Sequence, residues 1–158
     1  MEGNNIPRRA KVLVVGGGGR EHAIVDALSR SERVEKIFCA PGNAGIARQA
    51  KCVPFEDTQV DELAEFAENE GIDLTVVGPE VSLAAGIVDE FEARGLKIFG
   101  PSRAAARIES SKDFAKELMA KYNVPTAAYR TFSDYDDALA YVNAGKLPVV
   151  LKYDGLAA

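Results

Sequence analysis

Apolar residues recur along the chain in two rhythms that alternate. Lys11-Val-Leu-Val-Val15 is a short unbroken apolar run followed by four glycines, Gly16 to Gly19, and it predicts a buried parallel strand. Arg20 to Ser31 carries Ala23, Ile24, Ala27 and Leu28 at helical spacing. Lys36 to Ala40 predicts a second strand, Pro41-Gly42-Asn43 a turn, and Val53 to Phe55 a short third strand. Thr58 to Glu70 predicts a helix with Val60, Leu63, Ala64, Phe66 and Ala67 on one side and acids on the other, closed by Gly71. Asp73 to Val77 predicts a strand ending at Gly78-Pro79-Glu80, Leu83 to Arg94 a helix closed by Gly95, and Lys97 to Phe99 a strand. Strands and helices alternating with short connections predict an α/β fold built on an open parallel sheet covered on both faces. Such sheets bind ligands beyond the carboxyl ends of their strands, so the loops at Gly16–Arg20, Pro41–Ala44 and Gly78–Val81 are expected on one edge.

The rhythm changes after Pro101. Helices are predicted over Ser102–Glu109 and Ser111–Tyr122, broken by Asn123-Val124-Pro125. Tyr129–Phe132 predicts a short strand, Asp134–Ala144 a helix with Ser133 as N-cap, and Pro148–Tyr153 an apolar strand carrying Lys152. Two short strands and one helix cannot close a core. The expected organisation is an extension over 1–10, disordered, an N-terminal domain over 11–101, a helical linker over 102–123, and the beginning of a second domain over 124–158. The strand Leu147–Leu151 would then be an unpaired edge prone to association.

Composition narrows the function classes. The chain has 158 residues, 47% of them apolar and 27% charged, which suits a packed core rather than disorder. No apolar run reaches the roughly 18 residues of a membrane span, and Met1–Ala10 lacks the apolar stretch of a signal peptide. Two cysteines, Cys39 and Cys52, outside any CxxC, argue against a disulfide scaffold or a zinc site and fit a reducing, cytoplasmic compartment. A single histidine, His22, disfavours a His-rich metal site and a Ser-His-Asp triad. The net charge of −5 disfavours nucleic-acid binding. The charge is uneven: residues 1–52 hold 9 basic and 5 acidic side chains, residues 53–95 hold 1 and 12, and residues 96–158 hold 9 and 7. The acidic middle reads as a solvated helix face, and the cationic first third suits an anionic small molecule.

The glycine loop lies in that first third. A strand, a glycine turn and a helix start form an anion seat, because glycines let a ligand approach the backbone and free N–H groups at the helix start favour negative charge. A dinucleotide is disfavoured. Counting GxGxxG from Gly16 or from Gly17 puts Glu21 or His22 at the third glycine, and the second strand ends Phe38-Cys39-Ala40-Pro41 without the acid that would hold a ribose. Arg20, at the helix start, is suited to grip a terminal phosphate with its planar fork. Glu21 is expected to stabilise the helix start, and His22 to be packed rather than catalytic.

Several segments, in order, resemble one family. They are Gly16-Gly-Gly-Gly-Arg-Glu-His-Ala23, Ala40-Pro-Gly-Asn-Ala-Gly45, Val77-Gly-Pro-Glu80, Phe99-Gly-Pro101, Glu109-Ser-Ser-Lys-Asp-Phe-Ala-Lys116, Val124-Pro-Thr-Ala127 and Lys152-Tyr-Asp-Gly-Leu-Ala-Ala158. Together they look like the phosphoribosylamine–glycine ligase family, also called glycinamide ribonucleotide synthetase, of the ATP-grasp superfamily. The resemblance implies a Rossmann-like first domain and the start of an ATP-grasp small domain. It implies a ligase of purine biosynthesis that joins glycine to 5-phosphoribosylamine, with ATP converted to ADP and phosphate. The sugar-phosphate site would comprise Gly17, Gly18, Gly19 and Arg20, with Pro41, Gly42, Asn43, Pro79 and Glu80 beside it for the ribose hydroxyls. Lys112 and Lys152 would contact ATP phosphates. The family's GKG-type loop, adenine hinge and magnesium-holding carboxylates would follow Ala158, so no catalytic residue or metal ligand is expected within this chain and the chain alone is expected to be inactive. The partners implied are the three small-molecule substrates, without nucleic acid or membrane, and a monomer is favoured. A phosphosugar-binding module of the same ancestry, without catalysis, is the alternative.

Overall fold

A computed structural model describes residues 9–145 and 148–156. The chain divides into two compact units, Met1–Ala106 and Arg107–Ala158.

In the first unit, strands β1 (Ala10–Gly16), β2 (Val34–Pro41), β3 (Lys51–Cys52), β4 (Leu74–Val77) and β5 (Ile98–Phe99) form one parallel sheet in the order β3-β2-β1-β4-β5. Helices α1 (Gly19–Ser29), α2 (Val60–Glu70), α3 (Glu80–Ala85) and α4 (Ile87–Ala93) connect the strands, and a 3-10 turn covers Ile46–Arg48. The period-two alternation of a strand divides β1 between two cores. Leu13 and Val15 pack with Phe38, Leu63, Ile87 and Phe91 on one face. Val12 and Val14 pack with Val25, Ile37, Cys39 and Ile46 on the other. A strand buried on both faces must be apolar throughout, which is why Val12–Val15 shows no polar position.

From β1 the sheet winds one way through β2 and β3 and the other way through β4 and β5. The reversal between β1 and β4 leaves a crevice beyond their carboxyl ends.

Four expectations from the sequence are corrected. The third strand is Lys51–Cys52, not Val53–Phe55; Val53 instead turns inward into the core beyond it. The helix expected over Leu83–Arg94 is two helices, broken at the buried Gly86, whose φ of 94° lies in the left-handed region. The N-cap of the last helix is Asp134, which accepts from the Asp137 amide at 3.0 Å, and not Ser133. The fourth correction lies in the second unit, where Tyr129–Phe132 and Pro148–Tyr153 are not strands. A strand exists only against a partner ladder, and no other strand occurs among that unit's described residues. β1 also starts at Ala10, which is buried. Residues 1–8 of the expected extension, Leu147 of the expected edge and Ala157–Ala158 lie outside the described residues.

Helix α5 (Arg103–Ser110) leads into the second unit, which contains α6 (Lys112–Lys121) and α7 (Tyr135–Ala144). Ser111 caps α6 by accepting from the Phe114 amide at 3.1 Å. Arg107 stacks over the Phe114 ring at 3.9 Å. Lys116 holds the following segment by donating to Thr126 Oγ1 at 2.6 Å and to the Ala127 carbonyl at 3.0 Å. Helix α7 buries no residue, and Val150, Leu151 and Tyr153 are exposed.

Candidate functional site

The loops after β1, β2 and β4 meet at the carboxyl edge of the sheet. The Gly42 amide donates to the Gly16 carbonyl at 3.2 Å, Asn43 Nδ2 donates to the Gly17 carbonyl at 2.8 Å, and the Gly78 amide donates to the Val15 carbonyl at 3.1 Å. A Cβ on Gly17 would lie 2.6 Å from the Gly42 carbonyl oxygen, so only glycine allows the first two loops to touch.

Glu21 organises the crevice between β1 and β4. Its side chain threads between two glycines: a Cβ on Gly78 would fall 2.0 Å from Glu21 Oε1, and one on Gly16 would fall 2.7 Å from Glu21 Cγ. The buried carboxylate accepts from the Gly18 amide at 2.7 Å and from Arg20 Nε at 2.9 Å. It therefore satisfies one donor of the helix start, as its position in the sequence suggests. The remaining first-turn amides, led by Gly19 and Arg20, have no acceptor within the helix, and Gly18, Gly19 and Arg20 are all exposed.

Arg20 also donates to Glu80 Oε2 at 3.2 Å, linking the first loop to the first residue of α3. The bond from Glu21, then that from Glu80, holds its guanidinium charged beyond the usual arginine range. The backbone amide of Glu80 itself, then Arg20, holds the Glu80 carboxyl below the usual carboxylate range. The Nε–Nη2 edge of the guanidinium is thus engaged while Nη1 has no partner among the described residues. The corner offers free backbone donors, part of a guanidinium and one solvent-facing carboxylate within a few ångströms.

Of the residues expected at the sugar-phosphate site, the structure gathers Gly17, Gly18, Gly19, Arg20, Pro41, Gly42, Asn43, Pro79 and Glu80 at this edge. Asn43 has a role that its sequence position did not reveal. Besides bonding Gly17, its Oδ1 accepts from the Gly45 and Ile46 amides at 2.8 and 2.9 Å, so it ties the second loop to itself and to the first. His22 is half-buried beside the second loop, where a Cβ on Gly45 would lie 2.6 Å from its ring.

Lys112 and Lys152 lie in the second unit. Lys112 Nζ donates to the Gly155 carbonyl at 2.8 Å, and the Asp154 carboxylate accepts from the Lys112 and Asp113 amides at 2.6 and 3.2 Å and from Ser111 Oγ at 3.1 Å. The Asp113 amide, then Ser111 and the Lys112 amide, hold the Asp154 carboxyl below its ordinary range. Lys152 is exposed, so burial does not demand a partner for its ammonium. Among the described residues no group of three or more His, Cys, Asp or Glu side chains is placed to hold a metal ion, and no helix is long and apolar enough to cross a membrane.

A five-stranded parallel sheet, with a glycine corner between its first strand and first helix, defines an open α/β domain. The profile described as phosphoribosylglycinamide synthetase, N domain, matches residues 10–109, and that of the ATP-grasp (A) domain of the same synthetase matches residues 110–158. The chain belongs to the phosphoribosylglycinamide synthetase family. The phosphoribosylamine–glycine ligase of Caldanaerobacter subterraneus subsp. tengcongensis is 60% identical over 147 residues, 93% of this chain and 35% of the relative. That of Neisseria meningitidis serogroup B is 57% identical over 148 residues, 94% of this chain and 35% of the relative. The crystal structure of the Thermotoga maritima ligase superposes with a TM-score of 0.67 at 29% identity, covering 92% of this chain and 33% of that one. The chain thus spans about a third of the length of the curated relatives it matches, and the match lies in the synthetase's N domain and the adjoining part of its ATP-grasp domain.

Proposed function

We propose that this chain is the N-terminal part of a ligase that joins glycine to 5-phosphoribosylamine, and that its first unit holds the phosphorylated sugar. In the reaction of the whole enzyme, ATP phosphorylates the glycine carboxylate; the sugar amine then displaces phosphate from the acyl phosphate, giving glycinamide ribonucleotide and ADP. The observation that carries the reading is the solvent-open start of α1 with Arg20 braced between Glu21 and Glu80. The Gly19 and Arg20 amides and the free edge of the guanidinium suit a terminal phosphate. Glu80 is an acceptor for hydroxyl or amine donors of the same ligand, which favours a phosphorylated sugar over a bare anion. Gly17, Gly18, Pro41, Gly42, Asn43 and Pro79 build the wall of that seat, Asn43 by fixing the first two loops together.

Lys112 and Lys152 contribute cationic contacts to ATP phosphates, Lys112 by exchanging its bond to the Gly155 carbonyl for a phosphate oxygen. Magnesium supplies charge neutralisation to phosphoryl transfer in ATP-grasp ligases, and no group of three or more candidate ligands for it stands among the described residues. Residues 11–101 serve as the sugar-phosphate domain, 102–123 as a helical linker and 124–158 as the opening of the ATP-grasp small domain. The chain works in the cytoplasm and binds small molecules as a monomer.

Calorimetric titration with ribose 5-phosphate, ribose and inorganic phosphate tests the reading. Ribose 5-phosphate is expected to bind tighter than either part. Arg20→Ala is expected to weaken it roughly tenfold or more, the scale of one charge-assisted bond. Equal affinities of the wild type and Arg20→Ala would remove Arg20 from the site.

A further inference from the structure

The two cysteines of the chain stand opposite each other on neighbouring strands: the β2–β3 register pairs Cys39 with Cys52. Paired residues of a parallel ladder lie one strand spacing apart, about 4.8 Å, and project from the same face. That spacing falls within the roughly 4.4–6.8 Å between Cα atoms that a disulfide spans. The shared face is the α1 side, where Cys39 belongs to the core and Cys52 packs against it. Both press on one point beneath the second loop: a Cβ on Gly42 would lie 2.5 Å from Cys52 Sγ and 3.5 Å from Cys39 Cβ. Cys39 is fully buried and Cys52 is half-exposed.

We propose that Cys39 and Cys52 form a reversible intramolecular disulfide when the folded chain meets hydrogen peroxide, making the β2–β3 edge a thiol switch under the Gly42 turn. The Cys52 thiolate attacks one peroxide oxygen; an S–O bond forms, the O–O bond breaks, and hydroxide leaves to be protonated to water. Cys39 Sγ then attacks the Cys52 sulfur; the S–S bond forms, the S–O bond breaks, and the departing hydroxide takes the Cys39 proton as a second water. Two thiols lose two electrons and one peroxide gains them. The order follows from access, since only Cys52 meets solvent. It agrees with the Cys39 thiol being pushed up to about 12, by burial first and then by Cys52 and Glu21 nearby.

The switch reaches the corner through one oxygen. The Gly16 carbonyl accepts from Cys39 Sγ at 3.2 Å and from the Gly42 amide at 3.2 Å. Turning Cys39 toward Cys52 removes the first donor, so the Gly16–Gly42 contact is reset. The inference does not depend on which ligand the corner holds.

The test treats the reduced chain with hydrogen peroxide, blocks residual thiols under native conditions, and maps peptides by mass spectrometry without reductant. The expected product has the intact mass of the chain less two hydrogen atoms, a Cys39–Cys52 linked peptide, full reversal by dithiothreitol, and a shifted Gly42 amide resonance. Cys39→Ala is expected to stop at a dimedone-reactive sulfenic acid on Cys52, and Cys52→Ser to lose all intramolecular product. The proposal is overturned if Cys39 stays alkylatable after unfolding while Cys52 is over-oxidised or links two chains. It is equally overturned if urea-unfolded chain gives the linked peptide in the same yield, because the folded register would then contribute nothing.

Discussion

Glu21 is the residue on which the corner depends, and Gly78 is where that dependence is easiest to measure. Its replacement by alanine puts a Cβ 2.0 Å from Glu21 Oε1, and the carboxylate can retreat only by giving up the Gly18 amide or Arg20. Gly78→Ala is expected to destabilise the fold by about 1–3 kcal/mol in urea denaturation, the ordinary cost of overpacking. Glu80 supplies a pH test. Its folded-state carboxyl titrates below its ordinary 4.5, so the Arg20–Glu80 contact is complete above that pH and is lost as pH falls through the folded value. Carbon-detected NMR titration should place the Glu80 midpoint below 4.5, and Arg20→Ala should raise it. The bond of Glu21 to the Gly18 amide was legible from the sequence because it is local to one turn. The bonds of Asn43 were not: they reach Gly17, 26 residues away, and only the folded sheet brings the two loops together.

At the scale of elements, the β1–α1–β2 and β4 pattern was readable because each buried strand runs directly into a glycine turn. Gly86 was a visible interruption within an apolar periodicity, but whether a helix tolerates such a glycine or breaks there is decided by packing around it. The second unit was read less well for a related reason. An apolar run such as Val149–Leu151 is compatible with a strand, yet the ladder that would make it one needs a partner. The seating of Asp154 on the start of α6 spans 42 residues and left no local signal. Asp154→Asn keeps the shape and removes the charge from those bonds. It is expected to speed hydrogen exchange at the Lys112 and Asp113 amides and leave that of Val14 unchanged, which native-state exchange by NMR can read.

Across the whole chain the core is concentrated in one unit. Every residue of both buried clusters falls within Ala10–Phe91, whereas Tyr129, Tyr135, Leu139, Tyr141, Val150 and Tyr153 remain exposed. Local opening should therefore be graded: amides of β1 should exchange only through global unfolding, and those of α7 by orders of magnitude faster. The central claim concerns the tip of the first βα corner, and the most direct measurement of it is an NMR titration of the labelled chain with ribose 5-phosphate. Saturable shifts led by the Gly18, Gly19 and Arg20 amides, with smaller ones at Glu80, are the predicted result. Shifts confined to the basic groove of Lys36, Arg48 and Lys51 at the other flank of the sheet, or none at saturating ligand, would contradict it.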